Sequence, residues 1–203
     1  MKIICIGRNY KAHALELGNE PPTEPIIFIK PDTAVHNLEQ PYYIPDFSNE
    51  IHYETEIIIK ISKQGKYISE KFANKYYEEI GLGIDFTARD IQTKLKEKGL
   101  PWEMAKAFDG SAVVGTFFQK EIFDNEQNIN FHLSKNNQII QKGNTSQMIW
   151  TIPSLIAYVS QFFTLRKGDL LFTGTPAGTG KILPNSTLEG FIEDKKAFSL
   201  FVK

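Results

Sequence analysis

The chain has 203 residues, and its 23 Lys plus Arg nearly balance 24 Asp plus Glu, leaving a formal charge of −1. That balance gives no electrostatic footprint for nucleic acid or an anionic membrane surface. The single cysteine, Cys5, excludes an internal disulfide and any cysteine-based zinc site, and no apolar run approaches the roughly 20 residues of a membrane helix. The expectation is therefore one soluble, cytoplasmic domain over 1–203 with neither a nucleic-acid nor a membrane partner.

Lys2–Ile6 reads as a short buried strand, followed after Gly7 by a helical turn from Tyr10 to Leu17. The segment Gly18–Pro25 holds three prolines and a glycine, which leaves it a loop. Ile26–Ile29 resumes as a strand. Ile51–Ile61 reads as one long strand, and its Ile57-Ile58-Ile59 run implies burial on both faces. Thr87 and Asp90 have the spacing of a capping-box variant, which predicts a helix starting there. Ile91 and Leu95 then share a face, and Gly99 with Pro101 ends the run. Ala112–Phe118, Ile129–Leu133, Gln138–Gln141 and Asp169–Thr173 read as strands, and Ser146–Phe163 as a second helix with Pro153 near its start. Phe198–Val202 is a candidate closing strand. Many short strands, few helices and 12% aromatic residues predict a mixed α+β or β-rich roll, not a βαβ alternation.

The sharpest chemical signal is His52-Tyr53-Glu54-Thr55-Glu56. Strand alternation points Glu54 and Glu56 the same way, with Cβ atoms ~7 Å apart. An acidic, solvated edge strand is the plainer reading, but the isoleucines that follow carry the strand toward the core. Two like charges there need a cation or a raised pKa. Asp85, between Ile84 and Phe86, is a candidate helix cap; with Thr87 and Asp90 filling that role it is free to join the two glutamates. Three such carboxylates make a half-shell of hard oxygen donors suited to Mg²⁺, Mn²⁺ or Ca²⁺. His52 shares the face of Glu54 and is read as structural or surface-exposed before it is read as a ligand. His13 and Glu16 are helical neighbours, either a solvated ion pair or a carboxylate-oriented base. The glycine-rich Thr173–Lys181 fails as a phosphate loop, because Thr175 stands where the first glycine belongs and Ile182 follows the lysine. It reads instead as a backbone-exposing turn whose N–H groups can hold a carboxylate. Lys94, Lys96 and Lys98 form only a small basic patch interrupted by Glu97.

Together these segments resemble the fumarylacetoacetate hydrolase family, in its short acylpyruvase-like branch. The matching stretches are Gly7-Arg8-Asn9-Tyr10 with His13, Phe28-Ile29-Lys30-Pro31, Tyr53-Glu54-Thr55-Glu56, Asp85-Phe86-Thr87-Ala88-Arg89-Asp90, Lys106-Ala107-Phe108-Asp109, Gly143-Asn144-Thr145-Ser146 and Thr173-Gly174-Thr175-Pro176-Ala177-Gly178. The resemblance implies a mixed β-roll, a homodimer, and a divalent metal on Glu54, Glu56 and Asp85: Mg²⁺ or Mn²⁺, with Ca²⁺ as a crystallographic substitute. It implies that His13 and Glu16 form a catalytic dyad on a lid at about 10–25, and that Lys106 stabilises charge. It further implies that Arg89, Gln92, Lys30 and Thr175 line or organise the pocket of a small 2-oxo acid. The main expectation is hydrolytic C–C cleavage of an acylpyruvate by His13-activated water. The alternatives are oxaloacetate decarboxylation or tautomerisation, hydroxydienoate isomerisation, and a non-catalytic 2-oxo-acid or metal-binding module.

Overall fold

A computed structural model describes all residues, 1–203. Thirteen strands and four α-helices follow one another along the chain. The strands are β1 (Ile3–Gly7), β2 (Ile26–Lys30), β3 (Ile51–Tyr53), β4 (Thr55–Ile61), β5 (Tyr77–Asp85), β6 (Thr87–Ala88), β7 (Ala112–Gln119), β8 (Asn130–Lys135), β9 (Gln138–Asn144), β10 (Leu170–Phe172), β11 (Gly180–Lys181), β12 (Ser186–Ile192) and β13 (Lys195–Val202). The helices are α1 (Lys11–Glu16), α2 (Arg89–Glu97), α3 (Glu103–Lys106) and α4 (Ile152–Phe162).

A six-stranded sheet runs β2-β1-β10-β4-β5-β7, a four-stranded sheet β13-β12-β8-β9, and a small sheet β11-β3-β6. Period-two alternation decides which core each side chain enters. Ile4, Ile6, Ile57 and Ile59 join the large core of 35 buried residues, together with Leu133 and Leu188 of the four-stranded sheet. Their neighbours Ile3, Cys5, Ile58 and Phe172 point into a second core on the other face. The isoleucine triplet is thus buried on both faces. A parallel bridge between Val35 and Ala112 joins the segment after β2 to the far edge strand β7, curling the six-stranded sheet into a roll.

Several expectations are corrected. Ile51–Ile61 is two strands in different sheets, broken at Glu54, so Glu54 leaves the ladder while Glu56 stays in it. The edge-strand reading fails because β4 lies between β10 and β5. There is no capping box at α2: its N-cap is Ala88, the Thr87 hydroxyl accepts from Lys106 at 2.6 Å, and Asp90 accepts from Ser48 Oγ at 2.6 Å. The second long helix begins at Ile152, capped by Thr151, after a 3₁₀ turn over Thr145–Gln147 that Asn144 caps. Phe198–Val202 is the end of β13, at the edge of the four-stranded sheet. Strands β5 and β12 are additions that the sequence reading lacks.

Gly83 shows why β5 carries glycine. A Cβ there would stand 2.0 Å from the Val113 carbonyl oxygen and 2.5 Å from Ile58 Cδ1, so β7 approaches the bare backbone. Gly83→Ala is expected to destabilise the fold by about 1–3 kcal/mol or more through overpacking. The midpoint of urea unfolding checks this.

Candidate active site

Strand ends build the site. The register pairs Cys5 with Phe172, Phe172 with Ile58, Thr55 with Ile84 and Asp85 with Ala112, so the C-terminal ends of β1, β10 and β5 meet the N-terminal end of β4. Glu56 lies opposite Gly83, and the Asp85 N–H donates to the Glu54 carbonyl at 2.8 Å. Glu54, Glu56 and Asp85 therefore converge. All three are buried, and one carboxylate oxygen from each lies within 4.8 Å of the others.

The three carboxylates have different partners. Lys106, at the end of α3, donates to Glu54 at 2.7 Å, Asp85 at 2.6 Å and Thr87 Oγ1 at 2.6 Å, which uses all three ammonium hydrogens. Arg89 also bonds Glu54, and donates to Gln92 Oε1 at 2.6 Å. Burial alone would raise the Glu54 pKa, but Lys106 and Arg89 outweigh it and hold the group well below the usual carboxylate range. Burial would likewise discharge Lys106, yet Asp85 and Glu54 keep its pKa above the ordinary lysine value. Glu56 has no cation bonded to it. Its Oε2 accepts from the Gly174 N–H at 2.7 Å, while burial, then Asp85 and Glu54, push its pKa well above the usual range. A hard cation fits this set. Metal–oxygen bonds of about 2.0–2.6 Å hold oxygens up to ~4–5 Å apart, and a cation would relieve the repulsion borne by Glu56.

Lys30 reaches Asp85 from below. Its Nζ lies 2.8 Å from Asp85 Oδ1, donates to Ser111 Oγ at 2.9 Å, and also bonds the Lys106 carbonyl. It is wholly buried and does not line the cleft, so it organises the site from behind. The Thr175 hydroxyl donates to the Thr55 carbonyl at 3.0 Å and accepts from Gln141 at 2.8 Å, though the residue itself lines the cleft.

The Thr173–Lys181 turn does hold carboxylates, but the protein's own: Gly174 N–H meets Glu56, and Gly178 N–H meets Glu16 at 3.0 Å. Gly174 has φ +98°, and a Cβ there would stand 2.7 Å from Asn9 Cβ, so only glycine presents this N–H without strain. Asn9 ties the start of α1 to the turn, donating to the Thr173 carbonyl at 2.8 Å and accepting from Trp150 N–H at 2.8 Å.

On α1, His13 is buried and its Nδ1 lies 3.3 Å from Glu16 Oε2. With Nδ1–H donated to Glu16, Nε2 carries the lone pair. Burial lowers the His13 pKa against the opposing pull of Glu54 and Glu16, so the ring is neutral at pH 7. His52 stays outside, with Nε2 3.0 Å from Glu50. Cys5 is an inert thiol, its pKa raised chiefly by burial.

The cleft also takes in Arg8, Lys96, Phe28 and Trp102, of which the sequence reading singled out none as a site residue. Lys96 was legible in principle: Arg89, Gln92 and Lys96 repeat at three and four residues, one helical face. The free volume is about 30 Å³, room for roughly two waters, so anything larger enters only as side chains move. A larger polar cavity of about 380 Å³, lined by Asn74, Asp124, Glu126 and Thr145 among others, holds no histidine or basic group.

Comparison with known proteins agrees with the fold. Residues 2–200 match the fumarylacetoacetate (FAA) hydrolase C-terminal family. The oxaloacetate tautomerase YcgM of Escherichia coli is 42% identical over 182 residues, covering 89% of this chain and 83% of that protein. A mitochondrial oxaloacetate decarboxylase of Dictyostelium discoideum is 43% identical over 190 residues, 93% of this chain and 87% of that protein. The crystal structure of fumarylpyruvate hydrolase from Pseudomonas aeruginosa, in complex with Mn²⁺ and pyruvate, superposes with a TM-score of 0.93 at 34% identity, covering all of this chain and 89% of that one. The chain belongs to the fumarylacetoacetate hydrolase family.

Proposed function

We propose that the protein interconverts the enol and keto forms of a small 2-oxo acid of the oxaloacetate type, with a divalent cation held by Glu54, Glu56 and Asp85. The observation that carries the reading is the buried carboxylate triad with a buried, Glu16-paired histidine on the same cleft. The names of the relatives favour this chemistry over the C–C hydrolysis expected from the motifs. A bound cation supplies Lewis acidity toward the 2-oxo group and its carboxylate.

The proton work falls to His13. Lys106 has all its hydrogens engaged and a raised pKa, so it contributes fixed positive charge toward the developing enolate oxygen. His13, neutral with Nε2 free, takes the enol hydroxyl proton and, as the imidazolium, returns it to C3, so one proton moves from oxygen to carbon and atoms and charge are unchanged. Glu16 orients the ring and steadies the imidazolium.

The test follows enol absorbance of oxaloacetate with Mg²⁺, with EDTA, and with acetylpyruvate as rival substrate. Metal-dependent loss of enol without release of CO₂ supports the reading. Acetate and pyruvate from acetylpyruvate, with enol decay at the uncatalysed rate, overturn it in favour of hydrolysis, the reading that the fumarylpyruvate hydrolase neighbour favours.

The acid limb of kcat/KM is expected below the ordinary imidazole value of about 6.5, because burial depresses His13. Activity needs the unprotonated ring, so it falls as pH drops through that lowered value. Glu16→Gln removes a group that raises the His13 pKa, and moves the limb to still lower pH. A pH–rate profile of both proteins checks the shift.

A further inference from the structure

Arg8 and Lys96 are charges without protein partners. Both line the cleft and both are half-buried, yet neither makes an ion pair or a side-chain hydrogen bond. Arg89, the third cation of this wall, is already committed to Glu54 and Gln92. Lys96 meets only the Trp102 ring, its Nζ 5.3 Å from the centroid. Arg8 sits directly after β1 at φ +59°, an uncommon conformation for a residue other than glycine.

The charge balance sets these two apart. Within the site Glu54 and Asp85 are paired with Lys30, Arg89 and Lys106, and Glu56 accepts only from the Gly174 N–H, so none of the three carboxylates is partnered by Arg8 or Lys96. Arg8 and Lys96 are surplus, and like charges sharing partly desolvated space repel. Burial, then Arg8 and Arg89, bring Lys96 down to about 8. An anion in the cleft would remove that penalty.

We propose that Arg8 and Lys96 form a second anion subsite that binds the distal carboxylate of a dicarboxylic 2-oxo acid. The subsite rests on the reading above for the other end of the substrate, where the 2-oxo acid group meets the carboxylate triad. It assigns residues to the second carboxylate that an oxaloacetate-type acid carries and a monocarboxylic 2-oxo acid lacks. Phe28 and Trp102, ring centroids 6.2 Å apart, wall the same cleft and raise the strength of charge pairing by excluding water.

Calorimetric titration of the Mn²⁺-loaded protein with oxaloacetate and with pyruvate tests this, since the two share one end and differ at the other. Lys96→Met and Arg8→Met are each expected to weaken oxaloacetate by about 10–100-fold, the worth of one charge-assisted hydrogen bond. Pyruvate should change by less than about 2-fold, and Lys96→Arg should retain most of the oxaloacetate affinity. Equal weakening of both ligands, or no change in either, overturns the subsite. If the wild-type protein binds oxaloacetate but not pyruvate, the reading of the 2-oxo end falls instead, and the subsite still stands or falls on the Lys96→Met and Arg8→Met affinities for oxaloacetate. Both side chains are partly exposed, so unchanged thermal unfolding should accompany either substitution.

Discussion

His13→Ala is expected to lower turnover by about 10²–10⁴-fold, the usual worth of a positioned acid–base group, and to leave Mn²⁺ affinity unchanged. The separation follows from geometry. His13 is on α1, held to Glu16 at 3.3 Å, whereas the triad comes from the ends of β4 and β5 and the break before β4. Stopped-flow enol decay reads the turnover, and Mn²⁺ titration followed by electron paramagnetic resonance reads the metal affinity. Glu16→Gln should lose less than His13→Ala, because the imidazole remains and only its tautomer and orientation loosen. Near-wild-type turnover in His13→Ala would transfer the proton work to another group and undo the assignment.

Lys30→Met is expected to destabilise the protein by about 3–5 kcal/mol, the cost of breaking a buried ion pair from one side. Lys30 and Asp85 are both wholly buried, and the ammonium also bonds Ser111 and the Lys106 carbonyl. Removing it leaves Asp85 charged against apolar neighbours, with Lys106 as its remaining counter-ion. Adding Asp85→Asn should recover part of the loss, since the uncompensated charge disappears, although the triad loses a donor. A double-mutant cycle by chemical denaturation measures the coupling. Additive effects would mean that Lys30 serves packing alone.

The pairing of Glu54 with Glu56 is legible from strand periodicity, and so is the double-sided burial of Ile57-Ile58-Ile59. Their meeting with Asp85 is not, because it depends on β5 lying beside β4. That strand, Tyr-Glu-Glu-Ile-Gly-Leu-Gly-Ile-Asp, is masked by glycines that read locally as breakers. In the folded chain those glycines are contact points: Phe117 packs where a side chain at Gly81 would stand, and the β7 backbone does so at Gly83. β12 is hidden in the same manner by Gly190, over which the Phe198 ring lies. The failed capping box has a tertiary cause too, since Lys106 takes the Thr87 hydroxyl and Ser48 engages Asp90. Lys96 escapes notice because three alternate lysines resemble a solvated face, while helical phase turns only the middle one toward the cleft.

The anchoring of Arg89, Gln92 and Lys96 on a single short helix has a practical corollary. The carboxylates proposed to hold a cation belong to a stiff, interlocked β framework, whereas Lys96, one of the two groups proposed to read the far end of the substrate, rides on α2, nine residues long. Substituting Lys96, which bonds none of the three carboxylates, is expected to retune preference among related acids and spare the triad, whereas Arg89 on the same helix is tied to Glu54. Diversification within such a scaffold then requires few changes, clustered on one small rod.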